Sequence, residues 1–183
     1  TNVPVKKVID PTLLLTSDDY DKIAKERLQQ DKYLLLYARR YNPKMEAYAE
    51  KIATENVWKI VEISLRAPNA EKPNHQMFYE AGVEEFLSLV KYAECVITNS
   101  FHGMIFAVQY CRPFYVFSRE QCDTKIKELL ELFELSECMV TPEQIKELTV
   151  PQIDYQAVHK RIAMDRSTSK EFLMMELNLL EGK

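Results

Sequence analysis

Four short apolar runs divide the chain, and each has the length and composition of a buried β-strand. A strand that is buried on both faces of a parallel sheet is apolar along nearly its whole length, whereas a strand with one face in water alternates. The run over residues 33–38, which reads YLLLYA, is the clearest example. We therefore predict neighbouring parallel strands at residues 33–38, 58–63, 95–98 and 114–117, and residues 3–9 are also strand-like.

The segments between these runs repeat apolar residues at helical spacing. Ser17 is a candidate N-cap. After it, one apolar face of an amphipathic helix is formed by Tyr20, Ile23, Ala24 and Leu28. The same reasoning predicts helices at residues 44–55, 83–93, 101–110 and 124–132, and another after Pro142. A long helix is predicted over residues 155–180, with a break at Arg166-Ser167-Thr168-Ser169.

The regular alternation of strands and helices determines the expected architecture. Right-handed crossovers between parallel strands predict an α/β fold with a doubly wound, Rossmann-like sheet. Residues 67–82 contain two prolines and several polar residues, and we interpret them as the longest loop at the carboxyl end of a strand.

Composition narrows the class of protein. A chain of 183 residues with 46% hydrophobic content is expected to form one domain over residues 1–183. A net charge of −4 argues against binding to nucleic acid. No apolar run approaches the ~20 residues of a bilayer-spanning helix, and no signal-like segment begins the chain, so we expect a cytoplasmic protein. Free thiols are expected at Cys95, Cys111, Cys122 and Cys138, which form no CxxC pair.

Glycine content excludes two common ligand sites of α/β proteins. The chain has three glycines, Gly82, Gly103 and Gly182. Neither the glycine-rich dinucleotide fingerprint nor a phosphate-binding P-loop can be formed from them. A nicotinamide-binding or ATP-binding Rossmann domain is therefore disfavoured.

The turn after the predicted strand at residues 95–98 is the most informative segment for chemistry. It reads Asn99-Ser100-Phe101-His102-Gly103, and a helix begins at once. Open α/β sheets bind ligands at the carboxyl ends of their strands, and the N–H groups of a helix N-terminus attract anions. Asn99 or Ser100 can cap the helix, while Gly103 leaves room for a ligand or another backbone. Taken alone, the turn is more simply interpreted as a cap beside a hydrogen-bonded histidine near the surface.

Context favours a functional interpretation. The five-residue turn, its apolar helix and Pro113-Phe114 at the next strand resemble the signature of polysaccharide pyruvyl transferases. Residues 9–16, 32–37 and 84–93 resemble further segments of that family in the same order. One departure is Lys125, which stands where the family frequently has arginine before an isoleucine-rich helix.

The resemblance implies the C-terminal, donor-binding half of a two-domain GT-B-like enzyme, with the substrate site between the halves. The implied reaction transfers pyruvate from phosphoenolpyruvate to a saccharide as a ketal, without a cofactor. His102 is the implied catalytic residue, as an acid, a base or an anion binder. The implied substrate-binding residues are Asn99, Ser100, Gly103, Lys125, Arg39 and Arg119, with Arg40 as a neighbouring candidate. Because the chain begins with Thr1 rather than Met, we expect an N-terminal domain to be missing and this half to be inactive alone.

Other titratable residues are assigned structural roles. Glu85 and Asp10 are candidates to orient the sugar, but a helix start and a proline turn explain them more simply. His75 and His159 lack a second ligand type at metal spacing and are expected to face solvent, so no metal site is predicted.

Two alternatives to pyruvyl transfer stay open from the sequence. A donor domain of a nucleotide-sugar glycosyltransferase shares the architecture, and the fold alone does not distinguish it. A non-catalytic α/β interaction module is the other alternative. Retention of Ser100, His102 and Gly103 argues against such a module, whereas Lys125 in place of arginine argues weakly for it.

Overall fold

The protein is represented by a computed structural model that describes residues 5–64, 72–117, 123–140 and 149–181. Its strands are β1 (Tyr33–Tyr37), β2 (Lys59–Ile63), β3 (His75–Met77), β4 (Cys95–Thr98), β5 (Phe114–Phe117) and β6 (Met139–Val140). They form one sheet in the order β3-β2-β1-β4-β5-β6, and every neighbouring pair is parallel. The four predicted strands and the Rossmann-like sheet are confirmed.

Helices cover both faces of this sheet. They are α1 (Ser17–Asp21), α2 (Pro43–Asn56), α3 (Val83–Lys91), α4 (Phe101–Gln109), α5 (Asp123–Leu132) and α6 (Tyr155–Glu181). Leu34 and Leu36 of β1 are buried in the cluster that contains the apolar face of α2. Leu35 points the other way, into a larger cluster with residues of α3, α4 and α5. Alternating burial on the two faces is what makes the sheet doubly wound.

The first predicted helix is much shorter than its apolar spacing suggested. A capping box between Thr16 and Asp19 begins α1, which ends at Asp21. Farther along, the backbone N–H of Lys25 donates to the carbonyl oxygen of Glu84 at 3.1 Å. The chain therefore leaves the helical path to contact α3. Beyond Asp21, residues three or four positions apart no longer lie on one helical face.

The long predicted loop contains a strand. Within residues 67–82, β3 pairs with the outer edge of β2, while residues 65–71 lie outside the described part of the chain. The N–H of Ile60 donates to the carbonyl oxygen of Asn74 at 2.9 Å, and that of Phe78 to Glu62 at 2.8 Å. A three-residue edge strand needs few apolar side chains, so periodicity gave no signal for it. Similarly, β6 was not predicted from the sequence.

The predicted break in the C-terminal helix is wrong, because α6 runs without interruption. Its polar residues bind the N-terminal segment instead. The guanidinium of Arg166 donates to the carbonyl oxygens of Leu13 and Leu15 at 2.6 and 2.9 Å. Ser169 accepts a hydrogen bond from the N–H of Ile9 at 3.0 Å. Residues 5–9, part of the strand predicted over residues 3–9, are irregular, and the bond from Ile9 to Ser169 connects them to α6.

Some expectations concern residues that the structure does not describe. Arg119 and Cys122 lie outside the described residues, and so does the helix that was predicted after Pro142. Free thiols are present at Cys95, Cys111 and Cys138. Within the described part of the chain, no helix combines the length and apolarity needed to cross a bilayer.

Candidate functional site

The strand order creates a crevice between β1 and β4. These strands are hydrogen-bonded neighbours, with Leu34 beside Cys95 and Tyr37 beside Thr98. From β1 the chain proceeds outward to β2, and from β4 it proceeds in the opposite direction to β5. Connections that diverge from two adjacent strands leave open space at their carboxyl ends, which is where doubly wound proteins bind ligands. Residues 38–42 and residues 99–103 border this space.

Hydrogen bonds hold the turn between β4 and α4. The Thr98 hydroxyl donates to the carbonyl oxygen of Tyr37 at 2.7 Å and accepts from the N–H of Ser100 at 3.0 Å. Ser100 is the N-cap of α4, since its Oγ accepts from the N–H of Gly103 at 3.3 Å. Of the two predicted capping candidates, Ser100 is therefore the cap.

The first amide groups of α4 remain open. For the N–H groups of Phe101 and His102, the described part of the chain supplies no acceptor. The first turn of any helix leaves such donors, and the helix dipole adds partial positive charge there. The N-terminus of α4 thus has the properties of an anion-binding position.

Asn99 joins the two sides of the crevice. Its Oδ1 accepts from the N–H of Arg39 at 2.8 Å, and its Nδ2 donates to the carbonyl oxygen of Arg40 at 2.6 Å. Asn99 is only 2% exposed. These contacts use both ends of the amide to hold the segment after β1 against the turn that carries His102, and binding of substrate by Asn99 stays a prediction.

Replacing Asn99 with alanine is expected to loosen this connection. Because two partly buried backbone groups lose their partner, we expect unfolding free energy to fall by about 1–3 kcal/mol. Amide exchange at Arg39 should accelerate by about tenfold through local opening. The Asn99→Asp variant is the matched control, since it still accepts from Arg39 but sets an oxygen against the Arg40 carbonyl. Unchanged exchange at Arg39 in Asn99→Ala would show that the segment is held by other contacts.

Gly103 is required by packing within the protein. A Cβ atom at this position would lie 2.5 Å from Oγ1 of Thr98 and 2.9 Å from Cδ1 of Tyr37. These distances are far below van der Waals contact. The sequence left open a close approach by a ligand or by another strand. The structure shows a close approach by residues of β1 and β4, and the absent Cβ allows α4 to pack against them.

His102 lies where the sequence predicted. It is the second residue of α4 and is exposed to solvent. Its ring approaches the ring of Phe101 edge-on, with centroids 5.4 Å apart. An exposed imidazole beside open amide donors, at the carboxyl end of a central strand, is accessible to a ligand in the crevice.

The predicted cations follow β1 and β5, the two strands on either side of β4. Arg39 and Arg40 follow β1 and line a cavity of about 420 Å³. Lys125 is an exposed residue in the first turn of α5, the helix that follows β5. His102 and Lys125 are not among the residues that line this cavity. The structure therefore places Arg39, Arg40, His102 and Lys125 at one edge, after three neighbouring strands.

Both carboxylates considered from the sequence have structural partners. Glu85 forms an ion pair with Lys25, and the hydrogen bond from Lys25 lowers the pKa of Glu85. Asp10 accepts hydrogen bonds from the N–H and hydroxyl of Thr12 at 2.9 and 2.6 Å and caps a short 3-10 helix. These contacts agree with the structural roles assigned to them.

Of the two other histidines, His159 is partly exposed, whereas the side chain of His75 does not face solvent as predicted. Nε2 of His159 lies 2.9 Å from the carbonyl oxygen of Val108. The side chain of His75 is 2% exposed, and its Nε2 lies 3.6 Å from Oε2 of Glu62. Burial lowers the pKa of His75, so the neutral imidazole is favoured.

Glu62 is a polar residue of this region that sequence reasoning missed. It is 2% exposed, and its Oε1 accepts a hydrogen bond from the Ser64 hydroxyl at 2.6 Å. A carboxylate buried near the end of a central strand is costly and often marks a functional position. The available signal was a single acid within the apolar strand sequence KIVEI.

Within the described residues, no group of three or more His, Cys, Asp or Glu side chains could hold an ion.

Comparison with known proteins assigns the family. The sequence model described as "Polysaccharide pyruvyl transferase" matches residues 1–121 of this 183-residue chain. This match includes the turn, His102 and α4. The chain belongs to the polysaccharide pyruvyl transferase family. This family is a family of transferases. A comparison with curated protein sequences returns no significant match.

Solved structures show that this pyruvyl transferase family chain has the fold of glycosyltransferase domains. CalG4, the calicheamicin glycosyltransferase, aligns with a TM-score of 0.56 and 15% identity, over 87% of this chain and 45% of CalG4. The glycotransferase of kitacinnamycin aligns with a TM-score of 0.47 and 15% identity, over 86% and 44% of the two chains. UDP-GlcNAc 2-epimerase from Methanocaldococcus jannaschii aligns with a TM-score of 0.45 and 14% identity, over 80% and 41%.

The chain is shorter than each of these three proteins. This chain spans 45% of the length of CalG4 and less than half of the other two proteins. At 15% identity the likeness to CalG4 concerns the fold alone. The fold is Rossmann-like and corresponds to one half of a GT-B-like architecture, as the sequence resemblance implied.

Proposed function

We propose that this domain binds phosphoenolpyruvate and that the complete enzyme transfers its pyruvyl group to a saccharide as a ketal. The observation that supports this most directly is the N-terminus of α4, where open amide groups of Phe101 and His102 stand beside an exposed imidazole. In a member of the polysaccharide pyruvyl transferase family, this arrangement is suited to an anionic donor.

The charges of the donor match the groups at this edge of the sheet. Phosphoenolpyruvate carries a carboxylate and a phosphate, and each needs hydrogen-bond donors or cations. The helix N-terminus can bind one anionic group. Arg39, Arg40 and Lys125 supply cations at the ends of β1 and β5, and guanidinium groups bind carboxylates and phosphates through paired hydrogen bonds.

The proposed chemistry requires one proton donor and one proton acceptor. Protonation of the methylene carbon makes the neighbouring carbon electrophilic, and one sugar hydroxyl adds to it and loses its proton. A second hydroxyl then replaces the phosphate at the same carbon and gives its proton to the leaving phosphate, so the products are a ketal and inorganic phosphate. His102 can donate or accept a proton, because imidazole changes protonation near neutral pH.

A second domain completes the site in this proposal. The fold relatives are more than twice as long as the aligned region, and GT-B-like enzymes act in the cleft between two halves. We therefore propose that an N-terminal domain supplies the opposite wall and that the reaction takes place in the cytoplasm, where phosphoenolpyruvate is formed.

Ligand-dependent thermal stability tests the identity of the donor. A ligand at about 100 times its dissociation constant stabilises a protein by ~2.7 kcal/mol. For a chain of this size we expect phosphoenolpyruvate to raise Tm by roughly 5–10 °C. UDP-glucose, inorganic phosphate and pyruvate serve as comparison ligands. Stabilisation by UDP-glucose and not by phosphoenolpyruvate would replace the proposal with a nucleotide-sugar donor domain.

A further inference from the structure

Tyr37 is a partly exposed tyrosine at the crevice between β1 and β4. It is the last residue of β1, and its neighbour on β4 is Thr98, the last residue before the turn that leads to α4. With Arg39 and Arg40, Tyr37 lines the cavity of about 420 Å³. None of the sequence-based site predictions included Tyr37.

The ring of Tyr37 is held by packing against two helices. Its Cδ1 atom would lie 2.9 Å from a Cβ atom at Gly103, so the ring lies directly against the first turn of α4. The ring also contacts Phe86 of α3, with ring centroids 5.0 Å apart. The hydroxyl of Thr98 donates to the carbonyl oxygen of Tyr37 at 2.7 Å and fixes its backbone. A side chain held in this way loses little conformational freedom when a ligand binds.

The hydroxyl of Tyr37 differs from those of other packed tyrosines. Tyr20 donates to the carbonyl oxygen of Thr12 at 2.9 Å. Tyr33 donates to the carbonyl oxygen of Leu89 at 2.8 Å. Such pairing is usual, because an unpaired hydroxyl inside a protein costs free energy. Within the described part of the chain, the hydroxyl of Tyr37 has no hydrogen-bond partner, so it is left for solvent or for a ligand.

The donors at this turn match the oxygens of a phosphate in number. The N–H groups of Ser100 and Gly103 are occupied by the hydroxyl oxygens of Thr98 and Ser100. Those of Phe101 and His102 have no acceptor among the residues that the structure describes. A phosphate monoester has three terminal oxygens, whereas a carboxylate has two. Two amide groups and one phenolic hydroxyl therefore supply one donor for each phosphate oxygen.

We propose that the hydroxyl of Tyr37 donates a hydrogen bond to a phosphate oxygen of the donor substrate bound at the N-terminus of α4. The identity of this substrate as phosphoenolpyruvate rests on the proposed function. The role of Tyr37 can be measured with any ligand that places a phosphate in this crevice.

Two variants that each lose only a hydroxyl test this role in the 183-residue chain. Tyr37→Phe keeps the packed ring, so Tm of the free protein should stay within about 2 °C of the wild type. Its Kd for phosphoenolpyruvate, measured by NMR titration, should rise about tenfold, which is usual for the loss of a hydrogen bond to a charged group. Tyr20→Phe is the matched control, because it loses the bond to Thr12 and should lower Tm without changing Kd.

A direct readout separates contact with the ligand from an effect on packing. In protein labelled with 13C at the tyrosine Cζ atoms, the resonance that is absent from Tyr37→Phe belongs to Tyr37. Phosphoenolpyruvate should shift this resonance as it saturates the site. Inorganic phosphate should shift it in the same direction, whereas pyruvate, which lacks a phosphate, should leave it in place. A shift with pyruvate and none with phosphate would assign Tyr37 to the carboxylate and overturn the proposal.

The remaining outcomes separate the role of Tyr37 from the identity of the donor. If phosphoenolpyruvate binds Tyr37→Phe as tightly as the wild type, the role of Tyr37 is wrong and the proposed donor stands. If UDP-glucose binds instead of phosphoenolpyruvate and loses about tenfold in affinity in Tyr37→Phe, the role of Tyr37 stands and the proposed donor is wrong. Binding of neither ligand to the wild type overturns both.

Discussion

Replacing His102 with alanine is expected to lower turnover of the complete enzyme by about 100-fold or more, while the domain remains folded. General acid–base groups typically contribute ~100-fold to 10,000-fold to the rate. The side chain is exposed, so its removal should change the unfolding free energy by no more than ~0.5 kcal/mol. The two measurements are the rate of pyruvyl transfer from phosphoenolpyruvate and the thermal midpoint of unfolding.

A glutamine at the same position separates the roles of the imidazole. His102→Gln keeps a hydrogen-bond donor but does not transfer protons at neutral pH. If His102 only binds the anion, the glutamine variant should recover much of the lost activity, and the alanine variant should mainly raise KM for phosphoenolpyruvate. If kcat falls equally in both variants, proton transfer is supported. Full activity in His102→Ala would move the proposed chemistry to another residue.

Replacing Gly103 with alanine is expected to destabilise the fold by about 2 kcal/mol, which is the usual scale for overpacking a close contact. In an exposed helix the same change is favourable by up to ~1 kcal/mol. Here the new Cβ would lie 2.5 Å from Oγ1 of Thr98, whose hydroxyl bonds to Tyr37 and Ser100. For a chain of this size the loss corresponds to a fall in Tm of roughly 4–8 °C.

A double-mutant cycle and a second glycine serve as controls. In the Thr98→Ala background, Gly103→Ala should cost less than in the wild type, because the nearest contacting atom has been removed. At Gly82 the added Cβ would approach only the carboxyl end of the Glu85 side chain, which is flexible and partly exposed, so Gly82→Ala should cost less than Gly103→Ala. Equal costs at the two glycines would contradict the packing argument.

Local sequence was sufficient for the central elements. The continuous apolar runs of β1, β4 and β5 are typical of strands that are buried on both faces, and α2 to α5 begin near the predicted positions. The turn before α4 was also accessible, because a cap and a strand end are local features. For the same reason, His102 could be assigned to the first turn of its helix without a structure.

Edge elements were less accessible to sequence reasoning. β3 and β6 have three and two residues and derive their order from backbone hydrogen bonds to a neighbouring strand. The predicted break in α6 failed for a related reason. The polar side chains of Arg166 and Ser169 bind residues near the start of the chain and do not mark a break. No pattern within the helix reveals a partner so distant in sequence.

By itself, the sequence determined the fold class, the family and the location of His102, because apolar periodicity, capping and a motif are properties of neighbouring residues. The tertiary structure decided which strands lie together and what each polar side chain contacts. Only the pairing of β1 with β4 shows that Asn99 holds the backbone of Arg39 and Arg40 and that Gly103 is needed for packing. Burial of Glu62 beside His75 likewise results from the pairing of β2 with β3, since contacts between distant segments are set by the whole packed sheet.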